Sequence, residues 1–395
     1  MPTAVRDVDA QRPPPDLAGL HGYDSALVLV RWGGVPVGKL TLPVYADRVD
    51  GAVLRQGILD VAAEAIWRLS LNDYLGWNDA DPGPVPTATV AVCTRDRPDD
   101  LERCLAALHK LPNEGQELLV IDSASRGEAT RCVVDQYPRV RYVREERPGL
   151  DVARNRALRE ANRDVVAFTD DDAAPDAGWL GSLLRNFGDP RTLCVTGLTM
   201  PIELDTAAQE WFERTNGFGR GFARVSYDGL RHDSFLVARV GAGVNMALRK
   251  NVLQRVGPFD EALDAGTPTH SGGDHDMFTR ILAHGYRIIY DPSGLVWHRH
   301  RRDWEAVRQA LYGYGVGVYA HLTGHLLRRE VRAPVIALGW LGTQIPQLAH
   351  SLLRRRGSIP LDLLFAELRG CAAGPGAYIA SRRALSRQSS APGSS

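Results

Sequence analysis

The sequence lacks the features that mark several common classes of protein. Its five cysteines are scattered over 395 residues and form no Cys-x-x-Cys pair, which argues against a disulfide framework or a thiolate metal site and fits a reducing compartment. Residues 1–20 contain no apolar run typical of a secretory signal, so we expect a cytoplasmic protein. Acidic and basic residues number 47 each, which gives zero net charge, and we expect no general affinity for nucleic acid.

Two nucleotide-binding signatures are also missing. No Gly-x-Gly-x-x-Gly follows the first strand of the region where strands and helices alternate, and Gly-x-x-x-x-Gly-Lys-Ser/Thr does not occur. Their absence disfavours dinucleotide oxidoreductases and P-loop NTPases. The content of hydrophobic residues, 44%, and of charged residues, 24%, is ordinary for a globular protein, so what the chain does must be sought in local patterns.

The N-terminal part of the sequence predicts a small module ahead of a larger one. Residues 1–20 are polar and contain Pro13-Pro14-Pro15, so we expect them to be disordered. Two β-rich runs flank Gly33-Gly34 and predict a hairpin, and residues 50–75 carry apolar residues at helical spacing. We therefore assign residues 21–86 to a hairpin-plus-helix accessory module and its linker. Packing or dimerisation is its expected role, and acceptor binding is the alternative.

From residue 87 onward, strand and helix patterns alternate. Three β-rich runs, at 89–93, 117–121 and 140–143, each precede a helical pattern, and a fourth run begins at residue 165. This alternation predicts an α/β fold with a mostly parallel sheet flanked by helices, and we assign it to residues 87–305. Since open α/β sheets bind ligands at the carboxyl ends of their strands, the polar residues that follow each run are candidates for a common site.

The fourth run, Val165–Asp172, reads Val-Val-Ala-Phe-Thr-Asp-Asp-Asp. In an extended chain alternate side chains share a face, so Asp170 and Asp172 point together and Asp171 points away. Two convergent carboxylates suit Mg²⁺ or Mn²⁺ held jointly with substrate phosphates. An acidic surface turn would explain the three acids alone equally well.

Two more polar residues lie at the same predicted edge. Asp122 could accept a hydrogen bond from a base or a ribose, and Arg154 could offset phosphate charge. Each residue taken alone would also fit a helix cap or a surface ion pair. Their common edge favours a joint nucleotide site.

Eight short motifs occur in order between about Thr89 and His300. They are Val-Ala-Val-Cys-Thr-Arg-Asp-Arg (90–97), Val-Ile-Asp-Ser-Ala-Ser (120–125), Pro-Gly-Leu-Asp-Val-Ala-Arg-Asn (148–155), Asp-Asp-Asp (170–172), Gly-Ala-Gly-Val-Asn-Met-Ala (241–247), Gly-Pro-Phe-Asp-Glu (257–261), Gly-Gly-Asp-His-Asp-Met-Phe (272–278) and Trp-His-Arg-His (297–300). In this order they resemble the family 2 glycosyltransferases, which are inverting enzymes of the GT-A fold that use nucleotide-activated sugars. The resemblance covers just over half of the chain.

The resemblance implies a role for each matching residue. It implies a nucleobase contact for Asp122 with Thr94 and Arg97 in the same pocket, a place near the ribose and metal for Asp170, a metal ligand in Asp172, a further metal ligand in His298, and a general base in Asp274. The implied cofactor is Mn²⁺ or Mg²⁺. A divalent cation offsets the charge of a leaving nucleoside diphosphate, and a positioned carboxylate deprotonates the acceptor hydroxyl.

One position departs from the family. The family commonly has Glu before the base, and this chain has Gly273 there. Asp274 and Asp276 therefore compete for the role of base. The spacing to Met277 favours Asp274, and we expect Asp276 to cap the helix that follows.

The C-terminal part, residues 306–388, is predicted to be helical and basic, with a disordered tail at 389–395. From residue 296 to the end, fourteen arginines face five acids. Residues 333–353 carry no formal charge and lie between arginine clusters, but several polar residues and two prolines make them a poor membrane span. An interfacial helix on the inner face of a membrane is one interpretation, and a helix docked on the catalytic domain is the other.

We expect an enzyme that moves one sugar from a UDP-, GDP- or dTDP-sugar to an acceptor hydroxyl. The acceptor could be a carbohydrate, a lipid-linked molecule or a small molecule, and a homodimer through the N-terminal module is possible. Three alternatives remain: a membrane-surface glycosyltransferase with a lipid-linked acceptor, a nucleotidyltransferase, and a binding protein without catalysis. Residues 94–98 lack the glycines of a nucleotidyltransferase loop, and the presence of both Asp172 and Asp274 disfavours an inactive protein.

Overall fold

The computed structural model describes residues 2–77, 85–353 and 359–390. The N-terminal module contains strands β1 (Thr3–Asp9), β2 (Ser25–Trp32) and β3 (Val35–Pro43) and helix α1 (Gly51–Tyr74). Strands β2 and β3 form an antiparallel hairpin, as predicted. Helix α1 begins after Asp50, whose side chain accepts hydrogen bonds from the backbone of Ala52 at 2.8 Å and Val53 at 3.3 Å; these contacts satisfy amides that a helix start leaves unpaired.

The expectation of disorder over residues 1–20 is wrong for residues 3–9. Strand β1 pairs in parallel with β2 from Ser25 to Arg31 and buries Ala4 and Val8. The prolines come after this strand and therefore do not interrupt it. Leu17 and Leu20 are also buried, so packing extends through the connecting segment. Most of the predicted linker, residues 78–84, lies outside the described residues.

Four parallel strands form one half of the central sheet. Their elements in chain order are β4 (Ala88–Thr94), α2 (Pro98–His109), β5 (Glu117–Ser123), α3 (Ala129–Val134), β6 (Val140–Glu145), α4 (Leu150–Glu160) and β7 (Val165–Asp170). The strand order is β6-β5-β4-β7, and every neighbouring pair is parallel. The expected α/β fold is confirmed.

The other half of the sheet is mixed. Its elements are β8 (Ala173–Pro175), α5 (Trp179–Leu184), β9 (Thr192–Pro201), α6 (Ala207–Asn216), β10 (Val225–Asp228), β11 (Asn245–Arg249), α7 (Val252–Arg255), α8 (Gly273–Ala283) and β12 (Arg287–His298). Strand β11 runs antiparallel to both β7 and β9, and β12 runs parallel to β9. Two reversals of direction make β12 parallel to β7, so His298 and Asp170 lie at the same edge.

Three helices follow the sheet: α9 (Trp304–Leu327), α10 (Ala333–Leu352) and α11 (Leu361–Ser390). Helices α9 and α11 pack closely because glycines meet the opposite backbone: Gly315 lies against the carbonyl of Glu367, and Gly370 against that of Tyr312. Helix α11 continues to Ser390, two residues into the predicted disordered tail, whose remainder lies outside the described residues. Among the described residues, we find no helix with the length and apolar content needed to span a bilayer.

The N-terminal module packs against the central sheet. One face of its small sheet is covered by α1, and the other contributes Leu27 and Leu29 to a cluster with Leu198, Met200 and Leu295. Burial of such side chains stabilises the contact by roughly 1.5–3 kcal/mol each. A role of the N-terminal module in dimerisation or acceptor binding stays a prediction.

Candidate active site

A cavity of about 670 Å³ lies at the carboxyl edge of the sheet. It is lined by residues of the strand ends, of the segments around residues 149, 217, 243 and 270, and of α9 and α11. Thr94, Arg97, Arg154, Asp170, Asp172, Asp274 and His298 all line it. Seven of the eight predicted site residues therefore share one cavity.

Asp170, Asp172 and His298 form a compact group whose possible ligand atoms lie within 4.8 Å of one another. Asp172 sits just past the end of β7, and His298 ends β12; its Nε2 lies 3.1 Å from the Asp172 carboxylate. The His298 Nδ1 is buried and has no hydrogen-bond partner among the described residues. Two carboxylates and an imidazole fit a divalent cation, so the residues present can hold the metal that the sequence predicted.

Asp171 lines the same cavity as Asp170 and Asp172, although the alternation of an extended chain predicted that it would point away. Its carboxylate accepts hydrogen bonds from Thr94 Oγ1 at 2.7 Å and Arg97 Nη1 at 2.6 Å, and Arg97 Nη2 donates to Asp172 at 2.9 Å. Burial raises the pKa of Asp171 to about 7. In this structure Thr94 and Arg97 fix the acidic turn, a contact that the sequence did not predict for them.

The pKa values of Asp170 and Asp172 are shifted in opposite directions. Burial, together with the nearby charge of Asp172, raises the pKa of Asp170. Burial also opposes ionisation of Asp172, but the charge and hydrogen bond of His298 and the Arg97 guanidinium outweigh it and lower the pKa of Asp172. Asp172 is therefore ionised over the whole physiological pH range, as a direct metal ligand must be.

Asp274 lies in the first turn of α8, on the wall of the cavity. Its Oδ2 accepts a hydrogen bond from the Gly243 amide and its Oδ1 from the His275 amide, both at 2.8 Å. Burial opposes ionisation, but the charges of His275 and Arg154 and the two amides lower the pKa of Asp274. Its carboxylate is thus unprotonated at neutral pH and able to accept a proton.

Asp276 has a different setting and does not line the cavity. It is fully buried, and its carboxylate pairs with Arg280 at 2.7 Å and Arg328 at 2.5 Å. The expectation that Asp276 caps the helix is wrong, because α8 begins three residues earlier, at Gly273. His321 and His325 lie near Asp276 and complete a second possible ligand group, but none of these three residues lines the cavity.

Several arginines line the cavity, and Arg154 is the buried one among them, at 4% exposure. Its Nη1 donates to Asp151 at 3.0 Å and to Asp264 at 2.8 Å. Burial opposes its charge, but Asp264 and Asp151, followed by Asp170 and Asp274, raise the pKa of Arg154. A charged guanidinium is thus held where it interacts electrostatically with both Asp170 and Asp274.

The structure gives a reason for the departure at Gly273. A Cβ built on Gly273 would lie 2.5 Å from the Cγ of Asp151 and nearer still to its Oδ2. Asp151 is fully buried, and its Oδ2 has no hydrogen-bond partner among the described residues. A carboxylate from α4 thus occupies the space in which a longer residue 273 would begin.

Asp122 is the predicted site residue that does not line the cavity. It is fully buried, and its carboxylate accepts hydrogen bonds from the Tyr142 hydroxyl at 2.7 Å and the Ser125 amide at 2.9 Å. The next residue, Ser123, does line the cavity. A direct nucleobase contact of Asp122 stays a prediction.

Several residues at or beside the cavity escaped the sequence analysis. Asp151 pairs with Arg154 but does not line the cavity. It stands three residues before Arg154, a spacing that places both on one face of a helix and could have revealed the pair. Asp264 and Glu367 lie in segments without a chemical pattern, so no sequence signal pointed to them. Phe218 also lines the cavity, and its ring packs edge-on against the His298 ring, with 5.3 Å between the ring centroids.

Comparisons with known proteins match this chain to glycosyltransferases. Residues 89–257 match the sequence model of the family described as Glycosyl transferase family 2. A pre-mycofactocin glycosyltransferase of Mycobacterium tuberculosis is 31% identical over 74% of this chain and 59% of its own length. Glycosyltransferase AglE of Haloferax volcanii is 24% identical over 72% of this chain and 90% of its own.

The chain spans 59% of the length of the first of these relatives. Among solved structures, a mannosyltransferase from Pyrobaculum calidifontis in complex with GDP-Man and Mn²⁺ is 20% identical, with a TM-score of 0.46 over 83% of both chains.

Proposed function

We propose that this chain, whose residues 89–257 place it among the family 2 glycosyltransferases, transfers one sugar from a nucleoside-diphosphate sugar to an acceptor hydroxyl with inversion. The observation that carries the proposal is one cavity lined by both the Asp170–Asp172–His298 group and Asp274. Inverting transfer needs those two functions together: charge stabilisation for the leaving group and a base for the attacking hydroxyl.

On the leaving-group side, Asp172, Asp170 and His298 would hold a divalent cation. When bound, the cation acts as a Lewis acid on the diphosphate. A mixed set of oxygen and nitrogen ligands suits Mn²⁺ better than Mg²⁺, which prefers oxygen. Arg154 adds a fixed positive charge, and its two carboxylate partners hold it in place before the donor arrives.

On the acceptor side, Asp274 is our candidate base. The amides of Gly243 and His275 fix the orientation of its carboxylate, so little reorganisation is required when an acceptor hydroxyl approaches. A low pKa makes Asp274 a modest base, which is sufficient when the proton leaves as the new glycosidic bond forms.

The acceptor is proposed by chemistry alone, as a hydroxyl on a carbohydrate, lipid-linked or small molecule. Pre-mycofactocin, which the name of the M. tuberculosis relative gives, is the first acceptor to test. A cytoplasmic location, and an inner-membrane surface as the site of action, belong to the same proposal.

The first experiment is calorimetric titration of the full chain with UDP, GDP and dTDP, each with and without Mn²⁺. We expect one nucleotide to bind, and only in the presence of the metal. Asp172→Ala should abolish the metal dependence, and Asp99→Asn, an exposed acid outside the cavity, serves as the control. If no nucleotide binds under any condition, the cavity is not a nucleotide-sugar site.

A second experiment separates donor binding from catalysis. Asp274→Asn should bind the nucleotide as the wild type does, yet release of nucleoside diphosphate from its sugar should fall by a factor of about 10²–10⁴, the usual contribution of a general base. Asp276→Asn distinguishes the two candidate acids. Transfer by Asp274→Asn at the wild-type rate would show that Asp274 is not the base.

A further inference from the structure

Helix α10 exposes apolar side chains and buries polar ones, the reverse of an ordinary surface helix. Its exposed face carries Val335, Leu338, Leu341, Ile345 and Leu352, which are 43–69% exposed. The polar residues Gln344 and Ser351 are buried instead, at 6% and 4% exposure, and Ser351 donates a hydrogen bond to the Ile359 carbonyl at 2.7 Å. A helix docked on a protein core would bury its apolar residues and expose its polar ones.

The apolar surface does not end with the helix. Leu326 and Leu327 at the end of α9, Val331 in the turn, and Leu353 after α10 are 48–80% exposed. Exposed apolar side chains thus recur along 28 residues, from 326 to 353. A contiguous apolar surface of this kind marks an interaction site.

In the sequence, arginines come before and after this stretch. Arg329 and Arg332 are exposed before α10, with the exposed Glu330 between them, and Arg332 pairs with Asp233. The sequence continues after α10 with Arg354, Arg355 and Arg356, which lie outside the described residues. No Asp or Glu occurs from residue 331 to residue 361. An apolar stripe between arginines matches the acyl and headgroup layers of an anionic bilayer.

We propose that this surface, comprising the exposed side chains of residues 326–353, docks the protein on an anionic lipid surface with α10 lying in the plane of the interface. A second copy of the chain fits less well. A two-fold interface would bring the same arginine-bordered surface against itself, and Glu330 is the one acid within residues 326–353 that could offset the repulsion. The docking does not depend on the sugar-transfer chemistry.

The surface adjoins the cavity. Tyr319 of α9 donates a hydrogen bond to the Ala337 carbonyl of α10 at 2.9 Å, and its ring packs against Trp340 at 5.7 Å. The preceding residue, Val318, lines the cavity. Docking through α10 therefore leaves helix α9 between the lipid headgroups and the cavity.

The test is cosedimentation of the full chain with phosphatidylcholine vesicles, with and without an equimolar amount of phosphatidylglycerol. We expect sedimentation with the anionic vesicles and its reduction at high salt. Leu338→Asp and Ile345→Asp change exposed side chains and leave the core intact. Each should lower the partition coefficient by about tenfold or more, because burial of an apolar side chain at the interface is replaced by a charge that the lipid repels.

Leu59→Asp is the matched control, since Leu59 is 56% exposed on α1 of the N-terminal module. It should sediment as the wild type does. Sedimentation of the Leu338 and Ile345 variants equal to that of the Leu59 control would overturn the proposal, as would no binding of the wild type to anionic vesicles. A dimer in gel filtration that Leu338→Asp dissociates would also overturn it, by assigning the surface to a second copy.

Discussion

Substitution of Gly273 by Ala tests the most unusual contact of the site. Gly273 is the first residue of α8 and has no positive φ, so its backbone accepts any L residue. A Cβ there would nevertheless lie 2.5 Å from the Cγ and from the Oδ1 of Asp151. Asp151 is fully buried and its Oδ1 accepts the Arg154 hydrogen bond, so it can give way only by moving that pair.

Two opposing effects decide the sign of the change in stability. Replacement of a helical Gly by Ala ordinarily stabilises a protein by about 0.4–1 kcal/mol, through helix propensity and a less flexible unfolded chain. Forcing an extra carbon into a filled space costs about 1–3 kcal/mol. The clash is the larger effect, so we expect Gly273→Ala to lower the free energy of unfolding by about 1–2 kcal/mol. Arg154 keeps its contact with Asp264, which prevents a larger loss.

The effect of Gly273→Ala on the free energy of unfolding should change sign when the Asp151 carboxylate is removed. In an Asp151→Ala background the space is free, and Gly273→Ala should raise the free energy of unfolding by about 0.4–1 kcal/mol, a coupling of about 2 kcal/mol between the two sites. Urea titrations of the four proteins measure this. Gly339→Ala on α10, where no atom lies within 4 Å of the added carbon, is the unhindered control. If Gly273→Ala stabilises the protein with Asp151 present, the reasoning is refuted.

Two further predictions concern stability. Burial raises the pKa of Glu367 to about 7, so the folded state holds a proton that the unfolded state loses at lower pH, and this stabilisation disappears as the pH rises through 7. Glu367→Gln should therefore raise the melting temperature at pH 8 but not at pH 5. Equal shifts of the melting temperature at the two pH values would contradict the raised pKa of Glu367. Leu54 of α1 is fully buried in the N-terminal module, and Leu54→Ala should cost about 2–5 kcal/mol in urea unfolding; the exposed Leu59→Ala should change little.

The alternation of strands and helices allowed the parallel half of the sheet to be predicted, because βαβ connections leave few topologies open. The mixed half was not predictable in the same way. Strand β11 reverses direction between β7 and β9, and that reversal depends on long-range pairing rather than on the local pattern. It is also what returns β12 to the direction of β7 and brings His298 to Asp172.

Strand β1 shows the same limit at the N-terminus. Seven residues next to a proline-rich segment carry little apolar pattern, yet they pair with β2 from Ser25 to Arg31. The parallel strand β1 is stabilised by hydrogen bonds to β2, a partner elsewhere in the chain. Local composition therefore gave no signal for it.

For the site, the sequence by itself determined which side chains are available for the proposed chemistry: the acids at residues 170–172, the polar residues at the strand ends and the motif around Asp274. Only the tertiary structure decided their contacts. It placed Asp274 on the cavity wall and buried Asp276 between arginines, although the two acids are two residues apart. It also turned the apolar face of α10 to the surface. Which face of a helix is buried depends on what packs beside it, and local periodicity carries no information about that neighbour.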